Sequence, residues 1–145
     1  MKAALITVNV IGMCLFALFA TLQLNDNSSA AIYENPSDLD VILWCLFYAH
    51  IAMLHGMGIF RPVPIPLLVL GVLVCLLELT FAVPGLWTNI AGGAFTLAGD
   101  GMQASEPQVE RSREFFGACI ALTGVIVIAA QRRYWASQEK PDTAI

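Results

Sequence analysis

Four apolar runs, each long enough to cross a bilayer and each closed by a polar or proline-rich break, constrain this chain more than any other feature. They cover about residues 3 to 24, 41 to 60, 66 to 87 and 114 to 131, and about 20 apolar residues suffice to span the hydrocarbon core as a helix. Hydrocarbon cannot satisfy backbone N–H and C=O groups, so runs of this length must close their hydrogen bonds internally, as helices. The expected fold is therefore all-α, an integral membrane four-helix bundle forming one transmembrane domain over residues 1–145. Charged residues make up 12% of the chain and hydrophobic ones 58%, whereas soluble domains carry about 25% charged. The net charge of −4 argues against nucleic acid, which needs a basic face to displace phosphate counterions.

The breaks between the runs set the topology. Lys2 and the apolar stretch up to Ala20 resemble a secretory signal, but the run continues to Leu24 and is too long for a signal's apolar region, so a retained span is expected. Arg61-Pro62-Val63-Pro64-Ile65-Pro66 cannot continue a helix and predicts a tight hairpin between the second and third spans. The third span is expected to end near Pro84-Gly85, a breaker pair. Outer loops are expected at residues 25–40 and 88–113, and a cytoplasmic tail at 132–145.

Basic residues then give the orientation, because cytoplasmic flanks carry their excess. With both termini inside (N-in/C-in), Lys2, Arg61, Arg132, Arg133 and Lys140 face the cytoplasm, and only Arg111 and Arg113 lie outside. The expected location is a bacterial inner membrane. Trp87, Tyr134 and Trp135 fall at expected interfacial positions, and Trp44 and Tyr48 share one helix face near the outer boundary.

Two charged segments, Gln23-Leu24-Asn25-Asp26 and Glu110-Arg111-Ser112-Arg113-Glu114, abut the first and fourth runs on this outer side. They predict a polar cluster of Gln23, Asn25, Asp26, Arg111, Arg113 and Glu114. Beneath it stands Glu78, a carboxylate inside a span, which is costly to insert and is usually paired or cavity-facing. Its position counts to about 20 Å from the inner end of the third span, while His50 lies about 15 Å below the outer face, within one turn of the same depth. A contact between His50 and Glu78 is therefore expected to be within reach. The polar cluster is either structural or a site for a ligand or partner, with His50 as an intramembrane partner or ligand group.

No metal site is expected. His50 and His55 are five residues apart and point about 140° away from each other on a helix, so they cannot grip one ion together. A haem or chlorophyll could take one histidine as an axial ligand, and copper(I) would suit the soft side chains of Met53, Met57 and Cys45 with the histidines; no cofactor is predicted, and these three stay open. Cys14, Cys45, Cys75 and Cys119 fall one per run, which reads as packing, with a Cys45–Cys119 bridge as the alternative. Asn9 and Thr7 are expected to hydrogen-bond a neighbouring helix.

At its two charged segments the chain resembles the transmembrane protein 220 family of small four-span membrane proteins. Phe16-Ala17-Leu18-Phe19-Ala20-Thr21-Leu22-Gln23-Leu24-Asn25-Asp26 is similar to the family's apolar run ending in Gln-x-Asn-Asp, and Glu110-Arg111-Ser112-Arg113-Glu114-Phe115-Phe116-Gly117 to its Glu-x-x-Arg-Glu-x-x-Gly stretch. In the family, Pro-Asp and a tryptophan follow the Asn-Asp at once. Here Asn27 to Glu34 intervene before Asn35-Pro36-Ser37-Asp38 and Trp44, so Asp26 and Asp38 are both candidates for the family's aspartate. The resemblance implies fold and topology and carries no activity.

No nucleophile, base and orienting group stand together at recognisable spacing, so an enzyme is not expected. The leading expectation is a non-enzymatic structural, assembly or partner-binding component of the membrane, in contact with the lipid bilayer and with other integral membrane proteins. The alternative is an accessory subunit of a larger respiratory or photosynthetic complex. A third reading is a small transporter or proton-transfer enzyme using Glu78 and His50.

Overall fold

The computed structural model describes residues 2–24, 38–92, 95–97 and 107–138. They form four helices: α1 (Lys2–Gln23), α2 (Asp38–Phe60), α3 (Ile65–Ala91) and α4 (Pro107–Gln138). All four are long and apolar enough to cross a membrane. Asn25 and Asp26 lie outside the described residues.

Two helices extend beyond the runs that predicted them. α3 continues through Pro84 to Ala91 instead of stopping at the breaker pair. A proline costs one helical hydrogen bond, but ending the helix inside hydrocarbon would orphan a whole turn of carbonyls. Hydroxyls reinforce the backbone on both sides of it: Thr80 Oγ1 donates to the Leu76 carbonyl at 2.8 Å and Thr88 Oγ1 to that of Pro84 at 3.0 Å. α4 starts at Pro107, so Glu110, Arg111, Arg113 and Glu114, expected in or at the edge of a long loop, stand on its first turns. At 32 residues α4 is about 48 Å long against a hydrocarbon core of about 30 Å, which leaves room for charged turns outside it.

The helices pack as two antiparallel pairs, α1 with α2 and α3 with α4, which meet chiefly where α2 lies against α4. α2 and α3, though joined by the short Arg61–Pro64 turn, touch less. α4 makes this seam possible with a face of Ala118, Ala121, Val125 and Ile128, all almost fully buried; small residues let helices approach closely where lipid offers no hydrophobic drive to associate. Phe16, Ile51 and Leu54 fill the centre. Large apolar side chains such as Ile11, Leu73 and Phe81 point outward and are more than half exposed, the distribution a lipid solvent requires.

The two ends of the bundle differ. One, the turn end, holds the start of α1, the α2–α3 turn and the end of α4; the other, the loop end, holds the α1–α2 and α3–α4 connections. At the turn end the Arg132 guanidinium donates to the Val63 carbonyl, Val63 is buried as a plug, and Lys2 Nζ sits 5.9 Å above the Trp135 ring.

Candidate functional site

Polar groups inside the bundle fall into two sets. The first, nearer the turn end, is a neutral latch. Asn9 Nδ2 donates to Gln131 Oε1 at 2.8 Å, and His55 Nδ1 donates to Asn9 Oδ1 at 3.2 Å, so three helices share one chain of bonds and the imidazole proton is assigned to Nδ1. His55 stacks on Phe16 with centroids 5.5 Å apart. Its ring fits only because residues 12 and 124 are glycine: a Cβ on Gly12 would stand 2.5 Å from the ring, and one on Gly124 2.9 Å from Nε2. His55 Nε2, Gln131 Nε2 and Trp135 Nε1 are buried without a hydrogen-bond partner. The expectation that Asn9 bonds a neighbouring helix holds, but the central role of His55 and Gln131 was not foreseen. Neutral amides within an apolar run give no charge signal, and their partners are 46 and 122 residues away.

The second set lies at the loop end and forms two cavities that share Trp44 as a wall. One, of about 730 Å³, lies between α2 and α3. Trp44, Phe47, Leu70 and Phe81 supply apolar walls, and His50, Glu78 and Arg111 supply the polar groups. Leu46 and Phe81 on its lining are 60% and 61% exposed, so it opens sideways, toward lipid. The other, of about 440 Å³, lies between α1, α2 and the start of α4 and is lined by Gln23, Tyr48, Glu110, Arg113 and Glu114 among apolar residues.

The predicted polar cluster is thus distributed over two neighbouring cavities. Gln23, Arg113 and Glu114 line one, Glu78 and Arg111 the other. Ion pairs along α4 join them, Arg111 to Glu114 at 3.0 Å and Arg113 to Glu110 at 3.6 Å, both at the i,i+3 spacing that brings side chains together on a helix. His50 and Glu78 line the same cavity, from opposite helices, as their matched depths implied. The hydrogen bond of His50 runs elsewhere: its Nε2 lies 3.4 Å from the Leu67 carbonyl.

A clamp that the sequence did not reveal closes this end. Asn89 Nδ2 donates to the Thr96 carbonyl and to Ser112 Oγ, both at 2.8 Å, and Arg113 Nε donates to the Leu97 carbonyl at 3.1 Å. Residues 95–97 are thereby tied to the end of α3 and the start of α4. They are not helical, and the Thr96 and Leu97 carbonyls are satisfied by side chains instead. Gly85 lies directly against the Arg111 stem and Gly117 against the Tyr48 hydroxyl, so both cavity walls depend on a glycine contact.

Among the described residues no group of three or more His, Cys, Asp or Glu could hold a metal ion. Met13, Met53 and Met57 line a shallow depression beside Phe60, while Cys45 stands eight residues before Met53, about 12 Å along α2. All four cysteines are free thiols, so the Cys45–Cys119 alternative is not formed.

Four apolar spanning helices, outward apolar faces and charged groups confined to the interior and the two ends define a multi-pass helical membrane protein in contact with the bilayer. The chain belongs to the transmembrane protein 220 family: the family model described as Transmembrane family 220, helix, matches residues 15–130. The residues of both loop-end cavities named above fall inside this stretch, whereas Asn9 and Gln131 of the latch fall outside it. No curated protein and no solved structure matches the chain.

Proposed function

We propose that this protein is a non-enzymatic binding component of the membrane, and that the cavity between α2 and α3 receives its ligand or partner. The observation that carries this reading is the cavity itself: about 730 Å³ of laterally open space at the loop end. Pockets of about 300–1,000 Å³ with apolar walls and a few polar groups are the usual form of a binding site. The loop end faces away from the cytoplasm, because Lys2, Arg61, Arg132 and Arg133 all stand at the turn end. Reporter fusions to each terminus test this orientation, which fails if either terminus reports from outside.

The binding reading is tested by gentle extraction into lipid nanodiscs and mass spectrometry of all that stays bound, for the native chain and for Leu46→Trp, which fills the cavity from its lip. Loss of a bound component in the variant supports the reading, and identical contents in both would overturn it. If that component is a larger membrane complex at fixed stoichiometry, the protein is an accessory subunit. A second reading has one observation in its favour, since Glu78 and His50 line one cavity and could pass a proton. It requires that Glu78→Gln assemble normally and abolish a proton-coupled activity in reconstituted vesicles.

A further inference from the structure

We propose that the groove between α1 and α2 at the turn end is a site for an anionic phospholipid, with its phosphate held by Arg61 and one acyl chain lying along a methionine floor. It is a different place from the loop-end cleft, and its test is independent of the binding reading above. The groove, of about 480 Å³, is floored by Met13 of α1 and by Met53, Gly56 and Met57 of α2, and it ends at Phe60 and Arg61. From Met53 to Arg61 it follows α2 for about 12 Å, a shape suited to a length of chain. The absent side chain of Gly56 makes the depression: a Cβ there would stand 3.3 Å from Met13 Sδ, so the thioether lies against α2 and closes the gap between the helices. Thioether side chains are flexible and polarizable, and they adapt to an irregular occupant.

The headgroup end supplies the selectivity. Inside a membrane an apolar floor offers a lipid tail little more than other tails do, so its contribution is position: it seats a chain whose phosphate then arrives at Arg61. That residue is exposed. Its backbone N–H bonds to the Met57 carbonyl at 3.1 Å, which fixes the base of the side chain at the helix end. Among the described residues no ion pair or side-chain hydrogen bond engages its guanidinium, whereas Arg132 donates to the Val63 carbonyl and Lys2 lies over the Trp135 ring. A guanidinium presents two parallel N–H donors that match a phosphate.

Charge complementarity decides for an anionic headgroup. Lys2, Arg61, Arg132 and Arg133 all belong to the turn end, while the described carboxylates, Asp38, Asp40, Glu78, Glu110 and Glu114, belong to the loop end or the middle of α3. Basic side chains at a membrane surface attract anionic lipids, and basic pockets between spans hold their headgroups. A zwitterionic phospholipid brings the same phosphate with a cation attached, which this field repels.

Native mass spectrometry of the delipidated full chain, titrated with phosphatidylglycerol or with phosphatidylcholine of the same acyl chains, tests the proposal. One phosphatidylglycerol should bind at least about tenfold more tightly than phosphatidylcholine. Arg61→Gln should reduce this preference about fivefold, roughly the contribution of one basic residue at a membrane surface, and Arg61→Lys should keep most of it. Arg133→Gln, at the same end but outside the groove, should reduce it less than Arg61→Gln. Gly56→Leu leaves every charge in place and fills the groove, and should weaken phosphatidylglycerol binding comparably to Arg61→Gln. A phosphatidylglycerol with a photoreactive acyl chain should label Met13 and residues 52–57. Helical circular dichroism and a monodisperse elution profile check that each variant is folded. Equal binding of the two lipids, native preference in folded Arg61→Gln, an equal loss in Arg133→Gln, or labelling spread over other faces would each overturn the proposal. So would a stable dimer of the native chain that Gly56→Leu splits, because a second copy would then cover this groove.

Discussion

The two ends of this bundle use polar residues in opposite ways. At the turn end, neutral side chains bond across helix pairs: Asn9 on α1 reaches Gln131 on α4, and His55 on α2 reaches Asn9. At the loop end, two ion pairs run along α4, Arg111 with Glu114 and Arg113 with Glu110. Pairs along one helix do not themselves join α1–α2 to α3–α4, and at this end cavities open on both sides of the α2–α4 seam. Polar groups that cross a seam close it, and polar groups that line a wall leave it available. On the binding reading proposed above, the latch serves stability and the cleft serves binding, and each assignment predicts a different response to substitution.

The largest expected effect is at the latch. Gly12→Leu would drive a side chain into the His55 ring, which already stands 2.5 Å from where a Cβ would be. Overpacking of this kind costs about 1–3 kcal/mol or more, and because the ring is stacked on Phe16 it has nowhere to move. Reversible unfolding in mixed micelles should show the native state destabilised by at least that much. A change below about 0.5 kcal/mol would mean that the latch is looser than the structure shows.

Next comes Asn9→Leu, which removes two hydrogen bonds and strands His55 Nδ1 and Gln131 Oε1. Hydrogen bonds between membrane helices are worth about 0.6–2 kcal/mol each, so a loss of about 1–3 kcal/mol is expected. Gln131→Leu should cost less, because it also removes the Nε2 donor that is buried without a partner. The double substitution should then be less damaging than the sum of the two. A double-mutant cycle giving strict additivity would mean that these residues do not share one network.

Glu78→Gln tests the other half of the comparison. If the cleft serves binding, this change should leave unfolding within about 0.5 kcal/mol of the native chain, as side chains outside a latch or core commonly do. A destabilisation as large as that of Asn9→Leu would make Glu78 a structural group and remove the contrast between the ends.

Much of this arrangement was legible in the sequence, and what was not has physical reasons. Span number and the matched depths of His50 and Glu78 follow from hydropathy and a fixed rise per residue, quantities that belong to single helices. The grouping of charged residues at one end followed from counting spans. Helix ends were less legible: Pro84 reads as a breaker in water, but in lipid the alternative to a helix that runs through it is worse. Of the latch only the bond of Asn9 to a neighbouring helix was legible, because Asn9, His55 and Gln131 form one unit only after three helices have packed. The same holds for Asn89 and Ser112, which are 23 residues apart and meet only where α3 ends beside α4.

The smallest effect concerns the clamp at the loop end. Arg113 reaches the Glu110 carboxylate at 3.6 Å and the Leu97 carbonyl at 3.1 Å, and its side chain is 23% exposed. Partly exposed ion pairs contribute about 0–1 kcal/mol, so Arg113→Ala should change global stability by no more than about 1 kcal/mol. The clamp also ties down residues 95–97, and this second role gives a local readout. Hydrogen exchange should rise at Thr96, whose N–H faces Asn89 Oδ1 at 3.4 Å, while exchange along the spans stays unchanged, because local openings are governed by local contacts. Asn89→Ala should release the same segment by its other attachment and, by freeing Ser112 Oγ of its donor, loosen the start of α4 as well. If Arg113→Ala instead prevents accumulation of the folded chain, the charged turns of α4 hold the helix pairs together after all, and the loop end must be counted with the latch.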